Sequence, residues 1–102
     1  MPQDALKGLA AVQLQIEELD KLAGQTMKDL NTVAGTERVE KWKVDTVAVL
    51  AQAVGPQEAH RFSGVRPGPC FTNDLVEEFN DLIDCYRTPL VALAKHLSRA
   101  TP

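Results

Sequence analysis

Apolar residues at alternating spacings of three and four run through almost the whole chain, and this constrains the fold more than any other feature. From Asp4 to Val33 the positions Leu9, Val12, Ile16, Leu19, Ala23, Thr26, Leu30 and Val33 keep the rhythm. Val39, Trp42, Thr46, Val49 and Ala53 continue it over 37–54, and Val76, Phe79, Ile83, Tyr86, Leu90, Leu93 and Leu97 carry it to the end. A period near 3.6 places such residues on one side of a helix and forbids the alternation that a half-buried strand needs. The chain therefore predicts an all-α fold: a three- to four-helix bundle with an irregular Gly/Pro loop between the second and third helices. At 102 residues it is one domain, spanning 1–102, with room for a single modest core. With 44% hydrophobic but only 5% aromatic residues, that core is built mainly from Leu, Val and Ala, and Trp42 belongs to it.

Turn chemistry sets the expected boundaries. Gly24 weakens the first segment, and "AGTER" is expected to end it, with Gly35 as a left-handed C-terminal cap and Thr36 as the next N-cap. "VGP" at 54–56 stops the second helix, and "PQEAHRF" can add one further turn ending near Phe62. "HRFSGVRPGPCFTND", 60–74, holds two glycines and two prolines, which exclude continuous helix and remove ladder donors, so it reads as a connector. Asp74 with Glu77 three residues on is the expected cap of the last helix. The stripe passes through Thr88-Pro89 without losing phase, which favours one helix over two.

Formal net charge is -3 and pI about 5.3, so phosphate neutralisation supplies no affinity for nucleic acid. No window approaches the ~18 to 20 apolar residues of a membrane span, and no basic segment precedes an apolar run at the N-terminus. The reading is a cytoplasmic protein of bacterial type. Its two cysteines, Cys70 and Cys85, are expected to be reduced thiols, neither of them with a sequence-adjacent His to activate it.

Two functions suit these residues. The first segment, at about 30 residues and roughly 45 Å, is longer than a small globule needs. Its stripe therefore suggests self-association, most simply as a homodimer, with Leu9, Val12, Ile16, Leu19 and Leu30 as the contact and no catalytic activity or cofactor. A different protein partner is not identified by the sequence. Alternatively His60, Arg61 and Arg66, close to glycines and a helix start, form the rim of an anion or small-molecule sensor. His96, near the end of the last helix, reads as structural.

Two resemblances add to this. "ERVE" and "EFND" resemble the carboxylate segments of all-helical MazG-type nucleoside triphosphate pyrophosphatases, although one member of the first glutamate pair is missing and the intervening stretch is longer. This implies an alternative in which Glu37, Glu40, Glu78 and Asp81 hold magnesium. "VEKWKVDTVAVLAQAVGPQEAHRF", through Trp42, Leu50, Gly55 and Phe62, resembles helical regions ahead of effector domains in bacterial antiphage proteins with TIR-type or nucleotide-binding parts. That likeness implies an accessory or oligomerising module.

Overall fold

Four helices follow one another in a computed structural model that describes residues 2–68 and 74–100: α1 (Pro2–Asp29), α2 (Thr32–Ala53), α3 (Pro56–Ser63) and α4 (Leu75–Ala100). The all-α bundle expected from the periodicity is what the chain forms. α1 packs along both α2 and α4, while α2 and α4 meet each other much less. Matched levels give the directions. A Cβ on Gly8 would lie near Ala53 and Leu97, and one on Gly35 would lie near Thr26, while Arg87 pairs with Asp20. α1 is thus antiparallel to both of its neighbours, and α2 and α4 run parallel. Parallel helices need a long return connection; α3 and residues 64–68 run back along α2.

α1 continues through Gly24, where a side chain would meet nothing, and ends earlier than the expected Val33. Leu30 turns left-handed (φ 55°) and its N–H donates to the Thr26 carbonyl at 2.8 Å, an αL termination. Asn31 then caps α2, its side chain accepting from the Ala34 N–H at 3.1 Å. Gly35 and Thr36 are therefore not caps. Both lie inside α2, and the Thr36 hydroxyl donates to the Thr32 carbonyl at 2.8 Å. An asparagine that can accept at N3 outcompetes a threonine five residues later, and Gly35 has another use. A Cβ there would sit 2.5 Å from Thr26 Oγ1, so the glycine lets α1 and α2 cross closely.

A prediction follows from that crossing. Gly35→Ala gains about 1 kcal/mol of helix propensity but overpacks by about 1–3 kcal/mol, for a net loss of about 1–2 kcal/mol. Thr26→Ala in the same chain removes the clashing hydroxyl and methyl. Urea melts of the four chains of the cycle should then show the double mutant losing at least about 0.5 kcal/mol less than the sum of the single losses.

The "VGP" stop is observed as expected. The Val54 and Gly55 N–H groups both donate to the Leu50 carbonyl, Gly55 takes φ 146°, and Pro56 opens α3. α3 extends through Ser63, so His60 to Ser63, the first part of the expected connector, are helical. Asp74 caps α4 as expected, its Oδ1 accepting from the Val76 and Glu77 N–H groups at 2.9 and 3.3 Å. α4 continues through Pro89 as one helix.

The core comprises Val12, Leu19, Val39, Trp42, Leu50, Ala59, Phe62, Phe79, Ile83, Tyr86 and Leu90. Trp42, Phe62 and Tyr86 bring α2, α3 and α4 together, with ring centroids 6.0–6.3 Å apart. Such tilted and edge-on pairs are the favoured aromatic geometries. Buried Gln15 ties α1 to α2 twice: its carbonyl accepts from Trp42 Nε1 at 3.0 Å, and its side-chain oxygen accepts from the Thr46 hydroxyl at 2.9 Å. Thr46 lies in the apolar stripe of α2, and this bond satisfies it.

Candidate functional site

The first turns of α2 and α4 do not close on each other. Between them lies an open cleft of about 850 Å³, completed by the irregular stretch Arg66, Pro67 and Gly68 after α3. α2 supplies Val33, Glu37 and Glu40, spaced to share one helix side, and α4 supplies Leu75, Glu78, Asp81, Leu82 and Cys85 in the same manner. Buried Phe79 and Tyr86 form an apolar floor. Val33 is 69% and Leu75 63% exposed, so the mouth is apolar as well.

Its charge is one-sided. Glu37, Glu40, Glu78 and Asp81 all line the cleft, facing one lining arginine, Arg66. None of the four carboxylates forms a salt bridge among the described residues. The four positions singled out for magnesium are thus brought to one cleft by two parallel helices. Yet no three His, Cys, Asp or Glu side chains among the described residues stand close enough to share a metal ion.

At the inner end, Lys43 is buried beneath the return segment. Its ammonium donates to the Val65 carbonyl at 2.6 Å and lies 4.8 Å from the centroid of the Tyr86 ring. Burial, then the like charge of Arg66, push its pKa below the usual 10.5, and burial pushes the Tyr86 hydroxyl above its usual 10.0. The Lys43 bond holds the stretch that edges the cleft. Periodicity could not find this lysine, because it stands one place off the stripe, and only the return of the chain after α3 covers it. Gln15 also stands one place off its stripe, and only the packing of α2 on α1 buries it.

Lys43→Met should cost about 1 kcal/mol at pH 7 through the lost charged hydrogen bond. Between the lowered folded pKa and 10.5 the unfolded chain holds the proton more tightly, so the Lys43 contribution makes the wild type more stable as pH rises. Lys43→Met lacks that contribution, so the gap in urea midpoint between the two chains should widen from pH 7 towards 10. Tyr86 acts oppositely above 10 in both.

The expected anion rim is split. His60 is exposed on α3 and lines neither cleft. Arg61 pairs with Glu58 at 3.3 Å and lines a smaller groove of about 380 Å³ against α4, where His96 also lies. Arg66 alone reaches the main cleft, because Ser63 to Val65 carry the chain away from the α3 side. Of the five residues expected at a self-contact, Val12 and Leu19 have no exposed surface within one chain, Leu9 and Ile16 are half-buried, and Leu30 is 65% exposed at the α1–α2 turn. Cys85 is a half-buried free thiol in the cleft wall, and Cys70 lies outside the described residues.

Trp42, Leu50 and Phe62 are all core residues and Gly55 takes the positive φ of the α2–α3 turn, so each residue behind the likeness to antiphage accessory regions has a structural role in this fold. No helix among the described residues is long and apolar enough to cross a membrane. Compared with family models, with curated proteins and with solved structures, the sequence matches none.

Proposed function

We propose that the chain is a helical protein–protein interaction module that self-associates as a dimer through α1 and has no catalytic step of its own. The observation that supports this is a line of small and large apolar residues left uncovered on the outer side of α1. Leu6, Ala10 and Leu14 stand at i, i+4 and i+8, with Leu6 53% and Leu14 50% exposed. Half-buried Leu9 and Ile16 flank that line, while Val12 and Leu19 serve the core. Pairing two such lines removes apolar area from water at ~25 cal/mol per Å², which is what offsets the entropy of association.

Light scattering on a sizing column should give twice the chain mass of 11.2 kDa at tens of micromolar, and Leu6→Asp with Leu14→Asp should return it to the single-chain mass with its helicity intact. A wild type that stays monomeric over the whole concentration range would end this reading.

A second reading has one observation in its favour: Glu37, Glu40, Glu78 and Asp81 share a cleft. A carboxylate-dependent magnesium enzyme acting on nucleotides would use them. Magnesium should then raise the melting temperature of the wild type and not that of Glu40→Gln with Asp81→Asn, and pyrophosphate should be released from at least one nucleoside triphosphate.

A further inference from the structure

We propose that the cleft between α2 and α4 is the docking groove for a basic amphipathic helix of a separate partner protein, a second interaction surface beyond the α1 line. Three observations lead there. The first is shape. Nine of the lining residues, among them Val33, Glu40, Leu75 and Asp81, are exposed, so among the described residues this is an open trough. A small ligand is usually enclosed over most of its surface, and this trough leaves one side to solvent.

The second is direction and length. The α4 wall runs from Leu75 to Tyr86, about 16 Å or three helical turns, parallel to the α2 wall. The anchors at i, i+4 and i+7 of a helix laid between them would meet an apolar floor and the exposed side chains of Val33 and Leu75.

The third is charge. Four carboxylates, none in a salt bridge among the described residues, stand in two rows along the walls, two on each helix, against Arg66 alone. An apolar ridge flanked by Lys or Arg on both sides complements that pattern, and one flanked by Glu or Asp is repelled by it. The outer line of α1 matches only in part, because Glu17 and Glu18 follow Leu14 there beside Lys7 and Lys21, so a second copy is a poorer occupant than a helix flanked by Lys or Arg alone.

The test uses a fluorescein-labelled synthetic helix with leucine at i, i+4, i+7 and i+11 and lysine at the flanking positions, beside an identical helix with glutamate for lysine. Anisotropy against the full chain should show the lysine helix binding with Kd below about 100 μM, at least tenfold tighter than the glutamate helix, and weakening as salt is raised. Glu40→Lys with Glu78→Lys should weaken it at least tenfold, and Val33→Ser with Leu75→Ser should do so as well. All four positions are exposed, so unchanged melting curves check that the variants still fold. No binding by the lysine helix, equal binding by the two helices, or binding untouched by the charge reversals would overturn the proposal. A solution mass halved by Glu40→Lys with Glu78→Lys would also overturn it, by placing a second copy in the groove. Dimerisation that depends on Leu6 and Leu14 survives the three binding failures, and only the halved mass would count against both surfaces, so the two are judged separately.

Discussion

Trp42→Ala is expected to leave the chain largely unfolded at 37 °C. Trp42 is 5% exposed, meets both Phe62 and Tyr86, and donates to the Gln15 carbonyl, so its removal empties the point where all four helices converge. Truncating a buried tryptophan to alanine costs about 3–5 kcal/mol. A domain of this size has about 5–15 kcal/mol in total, and its modest core places it towards the lower end. At roughly 4–8 °C per kcal/mol, the melting temperature should fall by about 15 °C or more, followed by circular dichroism since the tryptophan reporter is gone. Trp42→Phe keeps the apolar packing and should cost about 1–2 kcal/mol, with the α-helical signal retained at 25 °C. If Trp42→Ala melts within about 3 °C of the wild type, the three-ring junction is not the centre of this core.

Leu19→Asp should be equally severe, and its contrast with Leu14→Asp separates core from surface along one helix. Leu19 has no exposed area, so an aspartate there is either a buried charge or a protonated acid without a partner, a penalty of several kcal/mol that the domain cannot absorb. The expected result is loss of the cooperative melt. Leu14, five residues earlier, is 50% exposed, and Leu14→Asp should change the stability of the folded single chain by no more than about 0.5 kcal/mol. A folded, monomeric Leu19→Asp would instead mean that Leu19 faces a partner, as its place in the heptad stripe first suggested.

That stripe shows what a one-dimensional pattern can carry. Leu9, Val12, Ile16 and Leu19 predict an apolar helix side correctly, but periodicity is blind to whether the covering surface comes from the same chain or another. Within this chain α2 and α4 both lie on α1 and cover Val12 and Leu19, which moves the uncovered apolar line round to Leu6, Ala10 and Leu14. Gly35 is a similar case. A glycine before a threonine looks like a helix boundary, whereas here it is the space in which Thr26 of another helix sits. His60 and Arg61 were read with Arg66 because they are near in sequence; on α3 neither lines the cleft that Arg66 reaches.

Helical class, the Val54-Gly55-Pro56 stop, the Asp74 cap and the core positions of Trp42, Tyr86 and Leu90 were all determined by sequence alone. Each depends on residues within a few places of one another: backbone torsions, a side chain that reaches an N–H two or three residues on, or a stripe of period 3.6. The cleft was decided only in three dimensions. Glu37 and Glu40 stand about forty residues from Glu78 and Asp81, and they share a trough because α1 holds α2 and α4 parallel while the return segment, held by Lys43 through the Val65 carbonyl, forms its edge. No local rule encodes that meeting, since it depends on which helix side each partner covers and at what level the helices cross.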